Sequence, residues 1–230
     1  MQMYVKSATQ PYGYPVFHTY KRMNLHMIIT LLSAKGGVGK STSAIHIATY
    51  LQSLAPTLLV DGDGIRSATK WSQRGDGKGL PFRVVSYAEL AREAPKYQHI
   101  VIDTEGNPSD DDFRDATRGS DLVVVPAVPE SVATDGLTET LSKLQDQGST
   151  NYRVLLTMVP PKPRSEGKAL REMLIEQKIP VFEGEIPRLA AFEKAAAEGL
   201  PVGAVQSDRN AGRAWAAYVA VGKEIVADGR

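Results

Sequence analysis

Apolar residues along the chain fall into short unbroken runs. Those at 27–33 (MIITLLS), 57–61 (TLLVD), 82–86 (FRVVS), 99–103 (HIVID), 122–128 (LVVVPAV) and 152–159 (YRVLLTMV) predict buried strands, and 180–187 (PVFEGEIP) a short last one. Between them the period changes to that of a helix. In 40–54 (KSTSAIHIATYLQSL), Ala44, Ile47, Ala48 and Leu51 share a face. Segments 88–94 and 166–178 also read as helices, as do 189–199 and 211–229, each of the last two with Gly near its end. Strands alternating with helices predict an α/β fold, a single doubly wound, mostly parallel sheet flanked by helices, over residues 27–230. Ligands in such sheets bind beyond the carboxyl ends of the strands. Residues 1–26 carry neither period and read as a separate N-terminal extension, too short for a helix-turn-helix domain.

Composition narrows the chemistry. The 230 residues carry a net charge of +1, so any nucleic-acid contact must come from a local patch. The absence of cysteine excludes disulfides, thiolate metal sites, Cys nucleophiles and Cys-ligated clusters, and suits a reducing cytosol. No apolar run is long enough to span a bilayer.

Between the first strand and the first long helix lies 33–42, SAKGGVGKST. Glycines let backbone N–H groups curl around an anion, and the helix N-terminus adds a favourable dipole. Lys40 is placed to neutralise β- and γ-phosphates, and the Ser41 hydroxyl to ligate Mg²⁺. The common phosphate-loop pattern fails at its first glycine, where Ala34 stands, and it gains a lysine, Lys35. A lysine ahead of the glycines points away from its own phosphates, so Lys35 is either a solvated charge or a group acting elsewhere. Asp61 and Asp63 close the second strand in a DGDG stretch that reads either as a Gly/Asp turn or as a pair of site carboxylates; Asp103 ends the fourth.

The box K-G-G-V-G-K-S-T resembles the deviant Walker A motif of the ParA/MinD ATPases. The resemblance runs from Met27 to about the last helix. LLVDGDG (58–64) is similar to the second acidic motif, VIDTEG (101–106) to Walker B, VVVPAVPE (123–130) to the V-P-x-x-P strand and loop, and 186–202 to the I-P-R segment. The length and DGDGIRSATKW look closest to the small, ParF-like partition ATPases.

The resemblance implies a slow, partner-stimulated ATP hydrolase using ATP and Mg²⁺. Lys35, Gly36, Gly37, Val38, Gly39, Lys40, Ser41 and Thr42 would hold the phosphates, with Met158, Pro187 and Arg188 near the adenine. Ser41, Asp63 and Asp103 would serve the metal; Lys35, Lys40 and Asp63 would be catalytic, with Asp63 orienting water and Lys35 reaching the partner's ATP in a sandwich homodimer. Asp61 would be a structural partner. The implied role is DNA segregation or plasmid partition, or positioning of a protein assembly, by a cytoplasmic, nucleoid-associated protein that binds DNA non-specifically and answers to a ParB-like or other small adaptor.

Two departures stand out. Gly64-Ile65 replace the family's Pro-Gln, and Thr104-Glu105-Gly106 follow Asp103, so Glu105 is either a solvated loop residue or an extra carboxylate beside the phosphates. DNA contact would draw on Lys162, Arg164, Lys168, Arg188, Lys194, Arg209, Arg213 and Lys223, diluted by Glu193, Asp208 and Glu224. Lys6, His18, Lys21 and Arg22 of the extension would add to it or touch a partner. Two alternatives remain: an enzyme of small-metabolite chemistry, dethiobiotin synthetase-like, and a MinD-like membrane-associated ATPase. The latter is disfavoured because Trp215, Tyr218, Val219, Ile225 and Val226 form a stripe with few cations, more suited to docking on the core than to a membrane.

Overall fold

The computed structural model describes residues 27–76, 79–161, 163 and 165–228; the 1–26 extension and the DNA candidates Lys162 and Arg164 lie outside them. Strands β1 (Met27–Leu31), β2 (Thr57–Gly62), β3 (Arg83–Ser86), β4 (His99–Thr104), β5 (Leu122–Ala127) and β6 (Tyr152–Leu156) form one sheet in the order β3-β2-β4-β1-β5-β6. Every pairing is parallel. The expected architecture is found. Helices are α1 (Lys40–Gln52), α2 (Ser67–Arg74), α3 (Tyr87–Glu93), α4 (Asp110–Gly119), α5 (Ser131–Asp146), α6 (Glu166–Glu176), α7 (Ala191–Glu198) and α8 (Ala211–Asp228).

The strands are apolar throughout because both faces are covered, and alternate residues enter different layers. Ile29, Leu31, Leu59, Val101, Val124 and Leu155 pack under α1, α2, α7 and α8. On the other face, Ile28, Leu58, Val60, Ile100 and Ile102 pack with Leu90 of α3. Val123, Val125, Val154 and Leu156 meet α4, α5 and α6. In α8, Tyr218 and Ile225 are buried in the first of these layers and Trp215 and Val226 pack against it, so the apolar stripe of this helix is a docked face.

Segment 180–187 follows β6 without becoming a continuous strand. It makes isolated bridges, Val154 with Val181 and Val159 with Pro187. Pro180 and Pro187 have no N–H to donate, which keeps the ladder intermittent. The strand expected over 152–159 ends at Leu156, and Met158 turns the chain at a φ of 49°. Helices α2, α4 and α5 were not among the helices predicted from periodicity. Helix α4 buries Phe113 and Ala116, and Ser109 caps its start by accepting from the Asp112 N–H (3.2 Å).

Candidate nucleotide site

The loop joining β1 to α1 is shaped by its glycines. Gly37 and Gly39 have φ of 76° and 88°, a region L side chains occupy only with strain. Gly39 caps α1 without a side-chain hydrogen bond, which leaves the first N–H groups of the helix available to an anion. Lys40 is 6% exposed, and its ammonium donates to the Lys35 carbonyl (3.0 Å). Burial lowers its pKa, while Asp103 and Asp63 push the other way. The loop is also clamped from helix α5 and from the end of β6. The Ala34 N–H donates to Thr140 Oγ1 (3.0 Å), and Thr157 Oγ1 donates to the Val38 carbonyl (2.8 Å). Neither threonine was a sequence candidate; a buried Thr just past a strand is the only trace Thr157 leaves.

Parallel register sets Asp61 beside Asp103 at the carboxyl ends of β2 and β4. Their surroundings differ. Asp61 is consumed by local backbone and side-chain bonds: Thr69 N–H (2.7 Å), Thr69 Oγ1 (2.5 Å) and the Asp63 N–H (3.2 Å). It is a structural partner, holding the start of α2 and the Asp63 turn. Asp103 is fully buried, and both carboxylate oxygens lack a hydrogen-bond partner. Burial pushes its pKa up to about 7; the nearby Ser41 hydroxyl and Lys40 ammonium oppose this, and Asp61 and Asp63 add to it. A buried carboxylate without a hydrogen bond of good geometry, beside a serine hydroxyl, is the donor set of a hard divalent cation. Ser41 and Asp63 line the same cleft, so the residues expected to serve Mg²⁺ are brought together and fit it.

That cleft has a volume of about 670 Å³, with Gly36, Gly37, Lys40, Ser41, Asp63 and Glu105 on its walls. Next to it lies a less polar pocket of about 400 Å³, lined by Trp71, Ile186, Pro187, Arg188, Phe192 and Tyr218 among others. Gly39, Thr42 and Met158 border both. A polar cleft on a helix N-terminus opening into an apolar slot suits phosphates joined to a flat base. Met158, Pro187 and Arg188, the residues expected near the adenine, all line the less polar pocket. Trp71, Phe192 and Tyr218 were missed because they come from helices remote in sequence. Lys35 is different: it does not line the cleft, and its stem runs along α5, where a Cβ added to Gly136 would lie 2.6 Å from Lys35 Cβ.

Glu105 lines the cleft opposite the loop glycines. A carboxylate there opposes polyphosphate binding by about 1 kcal/mol at solvent-screened distances. Glu105→Gln is expected to tighten ATP roughly fivefold at low salt, with the gain shrinking as salt rises, in a fluorescent-nucleotide titration. Unchanged affinity would make it a solvated loop residue.

His46 was also unforeseen. It is fully buried in α1, where Nδ1 donates to the Thr42 carbonyl (2.6 Å) and Nε2 accepts from the Val202 N–H (2.9 Å). Its ring stacks on Tyr218 with centroids 4.7 Å apart, and Trp71 and Phe192 meet it edge-on. It thereby ties the phosphate loop's helix to the wall of the apolar pocket. Burial lowers its pKa from 6.5 to about 4. The folded form therefore binds fewer protons than the unfolded chain between these values. The contribution is complete above pH 6.5 and is lost as pH falls towards 4, about 3 kcal/mol in all. Urea titrations of wild type and His46→Gln should show a stability difference that narrows over that interval; a difference constant with pH refutes the assignment.

Of the basic residues considered for DNA, Arg188 pairs with Glu130, Lys194 with Asp208 (3.0 Å) and Lys168 with Glu172 (3.5 Å). Arg209, Arg213 and Lys223 are exposed. Among the described residues, no helix is long and apolar enough to cross a membrane.

Comparison with known proteins agrees with this geometry. Residues 29–202 match the model of the CobQ/CobB/MinD/ParA nucleotide-binding domain. Maintenance of carboxysome distribution protein A of Gloeobacter kilaueensis is 33% identical over 208 residues, covering 88% of this chain and 95% of that protein. Protein ParA of Rhizobium radiobacter is 26% identical over 181 residues, 72% of this chain and 80% of that protein. A crystal structure of a plasmid partition protein from Borrelia burgdorferi bound to AMPPNP superposes with a TM-score of 0.65 at 22% identity, over 86% of this chain and 98% of that one, which speaks for the fold. With the family match spanning most of the sheet and the phosphate loop at its centre, the chain belongs to the CobQ/CobB/MinD/ParA family of nucleotide-binding domains, as a ParA/MinD-type member.

Proposed function

We propose that this chain is a positioning ATPase whose ATP-bound form is a sandwich dimer. The observation that carries the reading is the separation of its two loop lysines. Lys40 is buried at the phosphate cleft, whereas half-buried Lys35 lies off the cleft wall with its stem against α5, a place suited to another subunit's nucleotide.

In this reading the N–H groups of 36–42 and the Lys40 ammonium hold the β- and γ-phosphates. Ser41, Asp63 and Asp103 would hold Mg²⁺, which when bound neutralises phosphate charge. Asp63, fixed by its turn with the Ile65 N–H on Oδ1 (2.9 Å), orients the attacking water. Met158, Pro187 and Arg188 border the adenine. Lys35 completes the partner's site, so hydrolysis waits for dimerisation. The dimer binds DNA without sequence preference through exposed cations such as Arg209, Arg213 and Lys223, and a small adaptor on the cargo stimulates turnover. Likeness to a carboxysome distribution protein and to ParA supports a protein assembly or a plasmid as cargo.

Sedimentation with ATP and Mg²⁺ should give a dimer and with ADP a monomer. Arbitrary duplex DNA should be retarded only with ATP, and less as salt rises. A monomer under both nucleotides, with ATP consumed only on addition of a metabolite, would overturn the reading in favour of a small-molecule enzyme.

A further inference from the structure

We infer that Gly136 and Thr140, one helical turn apart on α5, are positioning residues for Lys35. Neither touches the cleft, and neither belongs to the phosphate loop. The inference rests on the proposed in-trans role of Lys35.

The geometry is specific. At Gly136 an added Cβ would meet Lys35 Cβ at 2.6 Å, Cδ at 3.1 Å and Cγ at 3.4 Å, so the whole lysine stem lies against bare helix backbone. A Cβ contact under 3.0 Å is one that real structures avoid, and here the obstacle begins at the root of the side chain, which cannot swing away as a tip can. One turn on, buried Thr140 accepts from the Ala34 N–H (3.0 Å) while donating to the Gly136 carbonyl (2.6 Å). The same hydroxyl thus fixes the backbone just before Lys35 and the helix position under its stem. Lys40 holds the Lys35 carbonyl from the other side (3.0 Å).

Glycine in a helix interior is unfavourable relative to alanine. Nothing in α5 itself asks for it: Gly136 has no left-handed φ. The lysine stem is what occupies the place of its side chain. A long flexible cation aimed at a second molecule loses reach and direction if its root moves, and a displacement of about 1 Å in such a group costs on the order of 10²-fold. The floor under the Lys35 stem at Gly136 therefore matters to the dimer more than to the nucleotide site of the subunit that carries it.

The test separates these. Wild type, Lys35→Ala and Gly136→Ala are compared for melting temperature, affinity for a fluorescent ATP analogue and ATP-dependent dimerisation by light scattering. Gly136→Ala is expected to stay folded, its gain in helix propensity offset by the shift forced on Lys35, and to bind nucleotide within about twofold, yet to dimerise at least about tenfold more weakly. Thr140→Val, which loses at constant shape the acceptor that also clamps the phosphate loop, should be weakened in dimerisation as well, and Thr140→Ser should restore dimerisation. If Lys35→Ala dimerises normally, the in-trans reading fails. If Lys35→Ala fails to dimerise but Gly136→Ala dimerises like wild type, that reading stands and this inference is overturned. Should Gly136→Ala not fold, Thr140→Val decides: wild-type dimerisation by it overturns the inference.

Discussion

Lys35→Ala is expected to give a folded protein that still binds ATP as a monomer but no longer dimerises on it, with partner-stimulated turnover down by about 10³-fold. Each part of this outcome has its own cause. Folding is kept because three anchors of the loop backbone are supplied by other side chains: Thr140 holds the Ala34 N–H, Thr157 the Val38 carbonyl and Lys40 the Lys35 carbonyl. Nucleotide affinity is kept because the cleft wall is made by Gly36, Gly37, Lys40 and Ser41, without Lys35. Turnover falls because a cation delivered from a second subunit to the developing phosphate charge acts as an arginine finger does. Light scattering with ATP and single-turnover hydrolysis measure the two effects. A variant that dimerises and turns over like wild type would return Lys35 to the status of a solvated lysine.

The contrast between the two lysines also shows what sequence carries here. The phosphate loop is contiguous, and its glycines answer a backbone demand that leaves a local mark, the positive φ at Gly37 and Gly39. Strands buried on both faces announce themselves as apolar runs, and the C-terminal aspartates follow from where those runs stop. Elements buried by long-range contact leave less. Helix α2 buries only Ala68 and Trp71, and α4 opens with three aspartates that serve its dipole and mask its apolar face. Helix α5 did have a signal: Leu137, Leu141 and Leu144 recur at helical spacing and are all buried. Its role in seating Lys35, though, lies in an absent side chain at Gly136, which sequence does not distinguish from any other helix glycine. The apolar pocket and His46 were hidden for a related reason. Trp71, Phe192 and Tyr218 come from three helices and converge on the His46 ring only after packing.

Asp103→Asn should move activity and stability in opposite directions. In wild type without nucleotide, both oxygens of this carboxylate are buried and unpartnered, and the pKa is raised from 3.8 to about 7. The folded state therefore holds its proton over an interval in which the unfolded chain has released it. Stability falls as pH rises from 3.8 to 7 and stays reduced above, by up to about 4 kcal/mol. An amide does not titrate. Relative to wild type, Asp103→Asn should gain stability across that interval in urea titrations without nucleotide or Mg²⁺. Taking the difference between the two proteins removes the opposing contribution of His46, which is common to both. Turnover should go the other way. Without the anionic oxygens facing Ser41, Mg²⁺-dependent tightening of ATP binding is lost, and with it several kcal/mol of charge stabilisation, about 10²- to 10³-fold in rate. A variant that is less stable at pH 8 than wild type would mean that Asp103 is held by bonds worth more than its burial costs. One that keeps Mg²⁺-dependent turnover would place the metal elsewhere. The combination expected here, a more stable protein with a dead site, is the mark of a carboxylate kept for what it binds and not for what it holds together.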